Sequence, residues 1–250
     1  MRVGVTGATG RMGREVRDAA AARGVEVAFA TTRDPAAGSG LDAAADFDSL
    51  VADENPDAVV DFTVPEASVG YVNASTAAGV PVVVGTTGFD DDQLAALRGA
   101  ADDAAVLLGA NFSRGVQALL DAVEAAVGSL PEYDVEVTET HHDGKRDAPS
   151  GTANVLLDRI EGARGGESDR VHGREGDQPR SEGEIGVHAR RAGDVTGEHE
   201  VLLAGNDEAL ELTHRAGDRG VFAAGALDAA AWLAAQPADF YRFEEVASEL

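Results

Sequence analysis

Residues 139–153 read "ETHHDGKRDAPSGTA" and bring together several groups that chemistry can use. His141 and His142 are imidazoles, whose ordinary pKa lies near neutrality, so either can give or take a proton under mild conditions. Lys145 is a compact cation that, unlike arginine, can release a proton. It is the only lysine in a chain with twenty lysine and arginine residues, and Gly144 beside it leaves its loop free to swing. Pro149-Ser150-Gly151-Thr152 reads as a turn whose hydroxyl residue starts a helix and leaves N–H groups for an anion. A proton donor, a mobile cation and a carboxylate cradle suit protonation of a substrate that carries carboxylates. A histidine pair or a helix cap alone is commonplace; joined to the solitary lysine, they form a candidate site.

The elements around this run must hold it in place. "YDVEVTETHH" alternates like a strand, so His141 and His142 leave it on opposite faces and only one meets a given ligand atom. "DGKRDAPSGTA" is then a loop that leads into the helix "ANVLLDRI". Upstream, "RVGVT" at 2–6 is a short apolar strand that runs into glycines at Gly7, Gly10 and Gly13 and an alanine-rich helix ending at Gly24. A strand, a glycine turn and a helix start make a phosphate site, because the backbone can approach a pyrophosphate whose charge meets the first-turn N–H groups. The strand "VEVAFATT" closes this βαβ unit. Apolar runs at 56–63, 80–88 and 104–113 alternate with amphipathic helices, which predicts a parallel sheet buried on both faces. Their polar ends, Asp61-Phe62-Thr63, Gly85-Thr86-Thr87 and Ala110-Asn111-Phe112-Ser113, fall at the carboxyl edge where such sheets bind ligands. Taken singly, Thr86 or Thr87 reads as a cap of the next helix. Three further strands are predicted in "EIGVHARR", "GEHEVLLAG" and "EALELTHRA", and the polar stretch 162–184 reads as loop of disorder-like composition.

Composition narrows the function. Formal net charge is −25, from 45 acidic and 20 basic residues spread along 250 positions. Such a surface repels nucleic acid and anionic membrane. It stays soluble where salt cuts the Debye length to about 3 Å, so a salt-filled cytoplasm is the expected setting. Salt also disfavours long apolar lysine stems, which explains the scarcity of lysine and makes Lys145 an exception with a chemical reason. The chain has no cysteine, which excludes disulfides and thiol catalysis. No apolar run approaches the roughly 20 residues of a membrane span, and no secretory pattern opens the chain.

The string Glu139-x-His141-His142-x-x-Lys145-x-Asp147-Ala148-Pro149-Ser150-Gly151-Thr152-Ala153 resembles the signature of the 4-hydroxy-tetrahydrodipicolinate reductase family, of the diaminopimelate route to lysine. "GATGRMGR", "DFTVPE", "GTTGF", "ANFSRGV", "HGREG", "EIGVHARRAGDVTGEHEVLLAG" and "LELTHRAGDRGVFAAGAL" extend the resemblance from end to end. It implies an α/β fold: a Rossmann-like parallel-sheet dinucleotide-binding domain over 1–112, rejoined by 220–250, and a smaller α+β domain over 113–219. The smaller domain would bind substrate and join four subunits through a mixed sheet. The implied reaction is hydride delivery from a reduced nicotinamide to a cyclic imine dicarboxylate, giving tetrahydrodipicolinate. It implies acid roles for His141 and Lys145, and carboxylate binding by His142, Lys145, Ser150, Gly151 and Thr152; whether Lys145 donates a proton, clamps a carboxylate or does both stays open. Cofactor contacts would come from Gly7, Ala8, Thr9, Gly10, Arg11, Met12, Thr32, Arg33, Gly85, Thr86, Thr87, Ala110, Asn111, Phe112 and Ser113, and no metal ligand set is assigned.

Thr31-Thr32-Arg33 ends the second strand, where a site committed to NAD places an acid on the ribose 2′-OH. Members of the family often carry an acid where this chain has Thr32. A neutral residue followed by an arginine predicts NADPH as the preferred cofactor with NADH still accepted. Two alternatives draw on parts of the same pattern. A non-catalytic dinucleotide sensor would use the glycine turn and have no need of His141, Lys145 and Ser150-Gly151-Thr152; another amino-acid dehydrogenase would share the first domain only.

Overall fold

A computed structural model of the chain describes residues 1–38 and 40–250. The chain divides into two compact units, one of residues 1–114 with 219–250 and one of residues 115–218. The first runs β1 (Arg2–Thr6), α1 (Arg11–Arg23), β2 (Glu26–Thr32), β3 (Asp42–Ala43), α2 (Phe47–Glu54), β4 (Ala58–Asp61), α3 (Pro65–Ala77), β5 (Val82–Val84), α4 (Asp91–Ala100) and β6 (Val106–Leu108). The second contains α5 (Arg114–Ser129), β7 (Asp134–His141), α6 (Gly151–Arg164), β8 (Arg170–His172), β9 (Ile185–Arg191), β10 (Gly197–Gly205) and β11 (Glu208–Ala216). The chain then returns to the first unit as α7 (Gly220–Leu233), β12 (Phe240–Arg242) and α8 (Phe243–Val246).

The first sheet has the order β12-β6-β5-β4-β1-β2-β3, and its pairings are parallel. Strand order reverses between β1 and β4, which opens a crevice at their carboxyl ends. β4 and β5 are unbroken apolar runs because helices cover both faces. Ala58, Val60 and Val83 pack with Val16 of α1 and Leu227 of α7, whereas Val59, Val82 and Val84 pack with Val51, Val72 and Leu97 from α2, α3 and α4. Asp90 starts α4 with a capping box, accepting from the Gln93 amide at 2.8 Å while Gln93 accepts from the Asp90 amide at 3.0 Å. The strand β12 is not apparent from its sequence: "FYR" is too short to show a period, and it is a strand only because β6 offers an edge.

The second sheet is mixed, in the order β11-β10-β7-β9-β8, with β7 parallel to β9 and antiparallel to β10. Helices α5 and α6 bury Val123, Val127, Leu156 and Ile160 against Val135, Val137, Ile185 and Val201 on one face. The stretch 162–184 is largely the loop expected of it, but not disordered in character and not without regular structure. It contains the end of α6 and the strand β8, and charge pairs pin it: Arg170 to Asp158 and Glu161, Arg174 to Glu184, Arg180 to Glu136. Composition there reports a polar surface; it does not report the partners that order it.

Candidate active site

In the first unit, β1 ends in a turn that only glycines fit. Gly7 has φ +67°, and a Cβ on Gly13 would lie 2.2 Å from the Gly7 carbonyl oxygen, so α1 packs directly onto the turn. Gly10 precedes the helix without a side-chain cap, and the first turn of α1 has no acid. The first-turn N–H groups of α1 therefore meet no side-chain acceptor from the cap, and an anion fits there by charge and by space. Thr9 and Thr32 share a hydroxyl hydrogen bond of 2.8 Å, which joins the glycine turn to the end of β2. Arg33 is exposed beyond it. The nearest acid, Asp34, accepts from the Ala36 amide at 3.2 Å and caps a short helical turn.

The crevice rests on a carboxyl group that the sequence places at the sheet's carboxyl edge without showing its partners. Asp61, fully buried at the end of β4, accepts from the hydroxyls of Thr6 (2.5 Å), Thr63 (2.7 Å), Ser68 (2.5 Å) and Thr86 (2.8 Å). None of these donors is a cation, so burial of the group is compensated by hydrogen bonds alone. One residue thus ties together the ends of β1 and β4, the segment after β5 and the helix α3. Thr86 consequently does not cap the next helix; Asp90 does that, and Thr86 also accepts from the Thr63 amide at 2.9 Å. Thr87 is exposed at the same edge, and Ala110 and Asn111 follow β6. Phe112 is core: its ring packs against Phe62 and Phe243, and its carbonyl lies against Gly225 of α7. Asp61→Asn places an amide donor among hydroxyl donors and is expected to cost about 2 kcal/mol or more of stability. Denaturant midpoints in molar salt check this, and an unchanged midpoint would mean the four hydrogen bonds carry no net stability.

In the second unit, the candidate residues gather around Glu139. This carboxyl is fully buried and takes two donors on each oxygen. Oε1 accepts from Arg191 Nη2 at 2.7 Å and the Ser150 amide at 3.1 Å; Oε2 accepts from Arg191 Nη1 at 2.8 Å and His141 Nδ1 at 2.6 Å. Burial acts to raise the pKa of Glu139, but the hydrogen bonds from Arg191 and His141 outweigh it and hold the carboxyl below the usual carboxylate range. Burial pushes His141 below the ordinary histidine value, with Glu139 opposing. His142 is half-buried just past the end of β7. Ser150 caps α6, accepting from the Ala153 amide at 3.2 Å, with Gly151 and Thr152 as the first helical residues. Lys145 is not loose on its loop: its Nζ lies 2.9 Å from Asp147 Oδ2.

Three partners here, Glu139, Arg191 and His199, were given no role by sequence reasoning, for different reasons. Glu139 stands two residues before His141, so the period of two alone places both on one face. Arg191 lies opposite His141 in the β7–β9 register and His199 opposite Glu139 in the β7–β10 register, and no local pattern announces either. His199 bonds Ser150 Oγ at 3.0 Å through Nε2, and burial pushes it down to about 4, so it is neutral.

A doubly wound parallel sheet with a glycine turn at its switch point, in one chain with a unit carrying a histidine, a lysine and a helix start, defines a dinucleotide-dependent oxidoreductase. Residues 1–112 match the family described as dihydrodipicolinate reductase, N-terminus, and residues 115–247 the family described as dihydrodipicolinate reductase, C-terminus. The chain belongs to the dihydrodipicolinate reductase family. It is 57% identical to the 4-hydroxy-tetrahydrodipicolinate reductase of the halophilic archaeon Natronomonas pharaonis, covering 98% of this chain and 99% of that one. Its identity to the enzyme of the same name from Haloarcula marismortui is 51%, over 98% of both. The fold is shared with a dipicolinate-bound dihydrodipicolinate reductase from Paenisporosarcina sp. TG-14, with a TM-score of 0.82 at 23% identity over 98% of this chain and 99% of that one. Among the described residues, no helix is long and apolar enough to cross a membrane.

Proposed function

We propose that the chain reduces 4-hydroxy-tetrahydrodipicolinate to tetrahydrodipicolinate, its first unit (1–112 with 220–250) binding the nicotinamide dinucleotide and its second (113–219) the dicarboxylate. The observation that supports this most is that one carboxyl, Glu139, bonds both the proton donor His141 and the first amide of the α6 cap. A bound reduced nicotinamide supplies the hydride. The glycine turn Gly7 to Met12, Thr32 and Arg33, Gly85 to Thr87 and Ala110 to Ser113 are the segments that would hold it. In the second unit, Gly151 and Thr152 present the helix start to one substrate carboxylate, with Ser150 fixing that start. His142 and Lys145 flank it, and Lys145 exchanges Asp147 for a substrate carboxylate. Hydride addition to the conjugated imine leaves an electron-rich carbon, and His141 or Lys145 delivers the proton that carbon needs. Hydride and proton enter, and the hydroxylated substrate loses water, so the atoms balance. The test is loss of reduced-nicotinamide absorbance in molar salt on adding freshly condensed aspartate semialdehyde and pyruvate; no loss overturns the reading.

NADPH is the preferred cofactor and NADH a second one. Support comes from Thr32, neutral where a site committed to NAD carries an acid, and from exposed Arg33, which supplies a cation. An exposed pair contributes about 1 kcal/mol or less, so Arg33→Ala is expected to shrink the NADPH/NADH ratio of kcat/KM by about fivefold or less. A parent that favours NADH, or a ratio untouched by the substitution, removes Arg33 from phosphate recognition. The subunits assemble as a homotetramer in the cytoplasm. The sheet face opposite α5 and α6 presents Thr138, Leu202 and Ala204, only half-buried, beside Glu136 and Glu200, and a solution mass of four chains is the check.

A further inference from the structure

We infer that the buried Glu139–Arg191 pair is the positioning device of the second unit, fixing the Nδ1–H tautomer of His141 and thereby presenting Nε2 to substrate. The inference rests on His141 as the proton donor proposed above. Each oxygen of Glu139 already takes two donors, and an ionised carboxyl has only acceptors to offer. His141 must therefore carry hydrogen on Nδ1, which leaves Nε2 to accept when the ring is neutral and to donate when it is protonated. A Cβ on Gly197 would come within 3.1 Å of Nε2, so that side of the ring is kept clear by a glycine. Arg191 does more than pair: its Nη2 also donates to the Asp147 carbonyl at 2.5 Å and its Nη1 to the Arg190 carbonyl at 2.6 Å. The loop that carries Lys145 is thus fastened at His141, at Asp147 and at Ser150 by one ion pair. A bidentate guanidinium does this where an ammonium would not, because its fork holds both carboxyl oxygens in one plane.

The groups around His141 make the inference testable by sign. They are Glu139 on its own strand, Lys145 on the loop, Arg191 on β9 and His199 on β10, whose ring centroid is 5.2 Å away. Glu139 favours the protonated ring; Lys145 and Arg191 disfavour it. Removing the two members of the pair should therefore move His141 in opposite directions, which loss of packing would not do.

The experiment uses the full chain in molar salt with 15N-labelled histidine, His141 being identified by the signal absent from His141→Gln. Ring-nitrogen titrations of the parent, Glu139→Gln, Arg191→Met and Arg191→Lys are read beside pH profiles of kcat. The expected parent tautomer is Nδ1–H, with the His141 midpoint moving to lower pH in Glu139→Gln, to higher pH in Arg191→Met, and returning toward the parent in Arg191→Lys. In Glu139→Gln, kcat above neutral pH should fall on the order of tenfold, because less of the ring is protonated. An Nε2–H tautomer in the parent, or midpoints that move together or not at all, overturns the inference. Breaking a buried pair costs stability, but the parent tautomer decides the matter even if both charge-removing variants fail to fold. Midpoints that split as expected while the kcat profile stays fixed uphold the positioning and refute His141 as the donor.

Discussion

Lys145→Met is expected to lower kcat by roughly 10²–10⁴-fold while the protein stays folded, because a positioned proton donor or carboxylate clamp contributes factors of that order. The side chain is 22% exposed and reaches solvent, so its truncation leaves no large cavity. It holds the exposed Asp147, whose carboxyl lies below the usual range chiefly through that hydrogen bond. An exposed partner is readily exchanged for a substrate carboxylate, since surface pairs contribute only about 1 kcal/mol or less. Lys145→Arg should fail as well. The guanidinium keeps the charge but is larger, planar and not a proton donor at any accessible pH. Steady-state kcat and KM in molar salt check both variants. If arginine supports near-parental turnover, the residue acts only as a cation, and the retention of one lysine in this chain needs another cause.

Transfer from molar salt to 0.01 M salt is expected to lower the melting temperature by about 10 °C or more, a loss of a few kcal/mol for a chain of this size. The excess of acids over bases is 45 − 20 = 25, so mutual repulsion outweighs the pairs that low salt would strengthen. Screening reaches about 3 Å at 1 M but about 30 Å at 0.01 M, a distance comparable to the molecule. Pairs such as Arg170 with Glu161 and Asp158 oppose the trend locally without reversing it. Scanning calorimetry at the two salt concentrations decides, and equal melting temperatures would remove salt adaptation as the reason for the charge.

Local pattern carried much of this protein. Apolar runs of fixed period gave the parallel sheet, since a strand covered on both faces must be apolar throughout. The glycines at 7, 10 and 13 marked the turn, and at Gly7 and Gly13 backbone conformation and close packing exclude a side chain. The run 139–153 located the histidines, the lysine and the α6 cap, which are neighbours in sequence and therefore also in space. Glu139 lay within reach of the same logic, two residues from His141 on one strand face. The sequence could not, however, say which partner a given polar residue would choose. Thr86 reads as a helix cap and instead bonds Asp61, because β4 and β5 lie side by side and bring the two within 2.8 Å. Residues 162–184 read as loop and mostly are, but arginine–carboxylate pairs to α6, to β7 and within the stretch hold them. Arg191 stands 52 positions from Glu139 and meets it only through the β7–β9 register. Composition, period and turn chemistry act over a few residues, so sequence alone determined most of the elements, the glycine turn and the cluster of candidate groups at 139–153. Which buried carboxyl holds those groups in place is set by contacts across strands, and these exist only once the sheets have formed.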